Sequence, residues 1–83
     1  KVKMLNKEEL LSLISKALKV SKKKINMDLK VGDIEEWDSL GHLEILIKID
    51  KVTKGKAAKI KNLSSSSSVK KIYESLKKNK LIK

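Results

Sequence analysis

Leu40, Leu43, Leu46 and Ile47 recur at offsets of 3, 6 and 7 in the middle of the chain. A helix turns that period into one apolar face. Asp38 and Ser39 stand just before the run, where a Ser or Asp marks a helix start. The same period appears on either side. Leu10, Leu11, Leu13, Ile14, Ala17 and Leu18 make a broad apolar face. Asn6 and Glu9 precede it in an Asn-x-x-Glu pattern, in which Asn caps the helix and Glu reaches back. Val69, Ile72, Tyr73 and Leu76 repeat the spacing near the end. No proline interrupts any of these runs, and the apolar residues are nearly all Leu, Ile, Val and Ala. A small aliphatic helix bundle is the expected fold.

Between the runs the pattern is irregular. Residues 19–38 form a long connection, with Lys22, Lys23 and Lys24 solvated and Ile25, Met27, Leu29, Val31 and Ile34 available to pin it to the core. The second helix is expected over residues 39–53, with Gly55 as its stop. A short helical piece over residues 57–62 offers Ala57 and Ile60 to the core, with Leu63 just beyond it. The five serines at 64–68 read as a short loop that caps the last helix rather than as a linker. Residues 77–83 are expected to fray. Leu13, Ile14, Leu43, Leu46, Ile47, Ile72 and Leu76 are the expected core.

Eighty-three residues make one domain, residues 1–83, which buries roughly 60% of the surface its unfolded chain exposes. There is no cysteine, so neither a disulfide nor a thiolate metal site is available. The longest apolar run, residues 45–47, is far too short to span a membrane, and the opening residues lead into a charged helix rather than an apolar leader. The expected setting is cytoplasmic, without membrane insertion.

The net charge of +11 comes entirely from lysine on the basic side. A polyanion partner is one reading of it, a basic helical protein that binds nucleic acid without sequence preference. Arginine, the usual bidentate reader of guanine and phosphate, is absent, and aromatics for base stacking are scarce. The distribution also argues against that reading. Residues 1–27 carry +6 and residues 51–83 carry +10, whereas residues 28–50 hold seven acids and two lysines, or −5. The acidic segment contains Ser39, and no specific nucleic-acid partner is expected.

Ser39 falls in the first turn of its helix, near free N–H groups and the positive end of the dipole, a favourable seat for a phosphate ester. Taken alone, a serine there is a cap. Its context, Trp37-Asp38-Ser39-Leu40-Gly41-His42-Leu43-Glu44 in mid-chain, resembles the attachment site of acyl carrier proteins. Ile25, Asp28, Leu29 and Ile34 upstream, and Ser68, Val69, Ile72, Tyr73 and Leu76 downstream, extend the resemblance over most of the chain.

The resemblance implies an all-α, four-helix up-and-down bundle, with three longer helices, one short one and a long first loop. It implies a carrier rather than an enzyme, with 4′-phosphopantetheine covalently attached to Ser39 from coenzyme A. Asp38 would orient the site and Leu40 would lie where the arm leaves the helix. A phosphopantetheinyl transferase would supply the Mg²⁺ and the transfer chemistry. Acyl-loading and acyl-transferring enzymes would be the other partners, docking on Glu44, Asp50 and Leu40, with the carrier itself a monomer. Thioester-bound acyl groups of fatty-acid synthesis are one cargo class. Trp37, Gly41 and His42 look more like a specialised carrier for aminoacyl, polyketide or sugar-modification chemistry. Members of the family are generally acidic overall, and this chain keeps that charge only locally.

His42, three residues after Ser39, invites a Ser–His nucleophile pair, but no orienting third group or oxyanion hole is evident in the sequence. The plainer reading is a polar residue beside the arm. Trp37 is expected to anchor the end of the long loop. Glu35, Glu36, Asp38, Glu44 and Asp50 lack the spacing of a calcium loop and read as a partner-facing acidic patch, interrupted by Lys48 and Lys51.

Overall fold

The structure, a computed structural model, describes residues 5–60 and 62–82. It is all-α, with helices α1 (Lys7–Leu18), α2 (Ser39–Val52) and α3 (Val69–Lys78) and short 3-10 turns at Lys22–Lys24 and Ala57–Lys59. The short fourth element expected over residues 57–62 is thus a single turn at Ala57–Lys59, with Lys61 outside the described residues.

Each helix begins on a side-chain cap that satisfies one of the free N–H groups of its first turn. Asn6 Oδ1 accepts from the Glu9 amide at 2.8 Å and Glu9 Oε1 accepts from the Asn6 amide at 3.0 Å, completing the capping box. Asp38 caps α2 and Ser68 caps α3, through Oδ1 and Oγ that accept from the Gly41 and Lys71 amides at 2.9 and 3.1 Å. The cap of α2 is therefore Asp38, and Ser39 is the first helical residue.

Leu18 at the end of α1 lies against Gly41 at the start of α2, so the two helices run antiparallel. At the other end, the Leu5 amide donates to the Leu81 carbonyl at 3.1 Å, and Leu5 pairs with Ile82 in a parallel bridge. This sets α3 antiparallel to α1 and parallel to α2. Residues 53–60 and 62–68 return the chain along the bundle from the end of α2 to the start of α3. The expected fraying after α3 is corrected here. Lys80 takes a left-handed φ of 60° and the Leu81 amide closes on the Leu76 carbonyl at 2.9 Å, which folds Leu81 and Ile82 back into the core.

The core is aliphatic around one indole. Leu10, Ile14, Trp37, Ile45, Ile49, Val69, Ile72 and Leu76 are fully buried. The faces expected of α1 and α3 are the buried ones. That of α2 is not. Leu43 and Ile47 are 53% and 44% exposed and Leu40 is 73% exposed, while Leu46 is half-buried. The inward stripe is instead Gly41, Ile45, Ile49 and Thr53, at offsets of four. Helix α2 is apolar on two sides, and the side with more leucines faces out. Ile45→Ala or Ile49→Ala should accordingly cost about 2–5 kcal/mol. Ile47→Ala should cost below about 1 kcal/mol, as for other surface positions. Urea denaturation of the three variants checks this, and equal losses would restore the leucine face to the core.

The long first connection is held as its apolar residues imply. Ile25 and Leu29 are buried and Met27 and Ile34 pack on the core, but Val31 is exposed. Its backbone is tied to the start of α3, where the Val31 amide donates to the Ser67 carbonyl at 2.8 Å and the Val69 amide to the Leu29 carbonyl at 3.0 Å. The serine run is built structure. Ser66 is buried, and its hydroxyl donates to the Asn62 carbonyl at 2.8 Å. The long loop, the serine run and the start of α2 thus meet at one end of the bundle.

Candidate functional site

That end carries Ser39. Asp38 turns its carboxylate back onto the Gly41 amide, which fixes the first turn and leaves Ser39 exposed at the positive end of the helix dipole. The Ser39 hydroxyl makes no hydrogen bond among the described residues. It stands at the rim of a cleft of about 250 Å³ whose far wall is the serine run, Ser64, Ser65 and Ser67, with Val31, Asp38 and His42 completing it.

His42 spans this cleft. Its Nδ1 accepts from Trp37 Nε1 at 3.2 Å, and its Nε2 lies 3.0 Å from the Ser64 carbonyl oxygen. The two partners assign the tautomer, since an indole N–H only donates and a carbonyl only accepts, so the ring proton sits on Nε2. The indole and imidazole rings lie edge to edge and close to coplanar, with centroids 6.1 Å apart and planes at 18°. Both ring nitrogens are engaged, and no lone pair of His42 is directed at Ser39. Trp37 is fully buried and anchors the end of the long loop.

Gly41 is a residue that pattern reading missed. A Cβ at this position would fall inside contact distance of the Glu36 carbonyl oxygen and lie 2.8 Å from Leu18 Cδ2. The absent side chain lets the loop backbone pass against the first turn of α2, and so sets the position of Asp38 and Ser39. A glycine inside a helical run is the signal that could have revealed it.

The exposed face of α2 starts beside Ser39 and continues as Leu40, Leu43 and Ile47, with Glu44 among them. Asp50 lies further along and is half-buried, with Oδ1 shut from solvent and without a hydrogen-bond partner among the described residues. Glu35, Glu36 and Asp38 are exposed near the cap. Among the described residues no group of three acidic or histidine side chains converges as a metal ion would require.

A second cleft, of about 530 Å³, opens beside α2 and is lined chiefly by Leu46, Ile47, Ala57, Ile60 and Leu63. It shares Ser64 with the first. No helix among the described residues is long and apolar enough to cross a membrane. Set against protein-family models, curated proteins and solved structures, the chain finds no match in any of the three comparisons.

Proposed function

We propose that this chain is a carrier, with Ser39 as the attachment point for 4′-phosphopantetheine. The observation that carries the reading is the exposed apolar stripe Leu40, Leu43 and Ile47, which begins at an exposed, unbonded serine hydroxyl. An otherwise closed aliphatic domain leaves such a stripe uncovered where another protein docks. A partner seated on it would find the Ser39 hydroxyl at its edge and Glu44 within its footprint.

The residues present fit the group. Ser39 Oγ is accessible and makes no hydrogen bond among the described residues, and the helix dipole favours a phosphodiester there. The adjoining cleft, lined by hydroxyls, gives the polar start of an arm a place to lie. Asp38 holds the first turn in register, so the nucleophile is presented on a fixed helix end rather than on a loop. Attachment exchanges the hydroxyl proton of Ser39 for the phosphopantetheinyl group of coenzyme A, releasing the adenosine bisphosphate half, with catalysis by a transferase and its Mg²⁺. When bound, the group supplies a thiol that this cysteine-free chain lacks, and a thioester on that thiol activates the acyl carbonyl for transfer.

Incubation with coenzyme A, Mg²⁺ and a broad-specificity phosphopantetheinyl transferase should add one phosphopantetheine to the intact mass. Ser39→Ala should abolish the gain and leave the helical circular dichroism unchanged. Because Asp38 and not Ser39 is the cap, the stability change should stay within about 0.5 kcal/mol. An unmodified wild-type chain, or a modified Ala variant, would refute the assignment.

A further inference from the structure

We propose that the end of the bundle remote from Ser39 docks on an anionic lipid bilayer through lysine side chains, without inserting into it. The inference does not depend on what Ser39 carries.

Helices α2 and α3 are parallel, so both end at this pole. Lys54 and Lys56 follow α2, Lys59 closes the 3-10 turn, Lys77 and Lys78 end α3, and Lys80 lies just beyond. All six are exposed. Lys56 and Lys59 share a small cleft with Asn79 and Leu81, which brings the two helix ends together. Among the described residues none of the six has a carboxylate partner. Glu74 is the one acid between residues 51 and 82. Helix α1 adds Glu8 and Glu9 at this end, but Glu8 is paired with Lys22 at 3.0 Å and Glu9 closes the capping box.

The fold accounts for only part of this cluster. Cations suit the C-terminus of a helix, which explains Lys77 and Lys78. Lys56 and Lys59 lie outside any α-helix. Lys54 and Lys80 have φ of 54° and 60°, a left-handed backbone that Gly or Asn adopts more easily. Like charges gathered without partners repel one another and weaken the compact state. An anionic surface removes that repulsion and gives each charge a counterpart.

The chemistry selects a bilayer among polyanions. A lysine ammonium is a compact, hydrated point charge, and diffuse attraction to anionic headgroups asks for no fixed geometry. Arginine, which would grip phosphates in pairs, is absent from the chain. The single tyrosine is half-buried with the Lys77 ammonium 5.8 Å from its ring centre, so it offers no open face to a base. The lysines come from two helix ends and a turn, and form a compact cap rather than a track that follows a strand. At the other pole Asp33, Glu35, Glu36 and Asp38 are exposed around Ser39 and are repelled by the same surface. The two effects stand the molecule on its lysine end, with Ser39 about 20 Å from the headgroups at the standard helical rise.

Sedimentation with phosphatidylcholine vesicles carrying about 30% phosphatidylglycerol should retain the protein at about 0.1 M salt, and vesicles of phosphatidylcholine alone should not. Lys56→Gln, Lys59→Gln and Lys78→Gln combined should lower the partition coefficient at least about tenfold. Lys16→Gln, Lys19→Gln and Lys30→Gln combined, the same charge change away from this pole, should lower it less than about threefold, because charges beyond a screening length from the lipid contribute little. In bicelles of the same composition, gadolinium-chelating lipids should broaden the amide signals of Lys56, Lys59 and Lys80 and spare those of Ser39 and Leu40. Equal retention by neutral vesicles, equal losses from the two triple variants, or broadening at Ser39 would overturn the proposal. So would tighter binding, per phosphate, to a DNA duplex of about 20 base pairs, which would assign the pole to nucleic acid instead.

Discussion

Trp37→Ala should lower the unfolding free energy by about 3–5 kcal/mol, a large part of what a small domain possesses. The indole is the largest fully buried side chain, so truncation leaves the largest void that any single change here can make. It also removes the Nε1 donor that orients the His42 ring toward Ser64. The loss is thus both packing and the tie between α2 and the serine run. Trp37→Phe separates the two contributions. It keeps most of the buried area but leaves His42 Nδ1 without its donor, and should cost clearly less, about 1–3 kcal/mol. Denaturation in urea, with mid-points compared at unchanged slope, measures both. A Trp37→Ala loss below about 1 kcal/mol would mean that the indole is not a core residue.

Gly41→Ala is the second substitution with a large expected effect. In an ordinary helix, Gly→Ala stabilises by about 1 kcal/mol. Here the added methyl meets the Glu36 backbone carbonyl, which cannot rotate away as a side-chain end could, and the Leu18 side chain behind it. Overpacking of this kind typically costs about 1–3 kcal/mol. The sign of the change is therefore opposite to the propensity expectation, which makes the experiment decisive. Relieving the clash means moving residues 36–38 away from α2, so phosphopantetheinylation of Ser39 should slow along with the loss of stability. A stabilised Gly41→Ala protein would show that loop and helix are not in the close contact described.

The sequence expresses some of this structure more openly than the rest. Helices α1 and α3 have a single apolar side each, and period alone identifies Leu10, Ile14, Ile72 and Leu76 as buried. Helix α2 has two. Leu40, Leu43, Leu46 and Ile47 form the longer stripe, yet Ile45 and Ile49 are the residues inside. Periodicity reports that a side is apolar, but not whether the bundle or another molecule covers it. The end of the chain shows the opposite error. Leu81 and Ile82 follow a run of lysines and look solvated, but the turn at Lys80 and the pairing with Leu5 bury them. Pairing between residues so far apart in sequence leaves no local trace.

The candidate site divides the same way. Asp38, Ser39 and their helix start are local features and are legible. The wall opposite Ser39 comes from Ser64, Ser65 and Ser67, more than twenty residues away, and only the fold brings it there. His42 has its place fixed by Trp37 on one side and Ser64 on the other, and neither bond follows from spacing.

The Trp37–His42–Ser64 tie has an optical consequence. The chain has a single tryptophan and a single tyrosine, so emission excited to the red of tyrosine absorption arises from this one corner of the molecule. A dry indole emits at shorter wavelength than a wet one, and its N–H bond to the imidazole couples the signal to the placement of the serine run. Opening of the cleft beside Ser39 would admit water to the ring and move the emission to the red before the helices melt. The protein thus carries an intrinsic fluorophore beside its candidate attachment point, through which events at Ser39 can be followed in real time without a label.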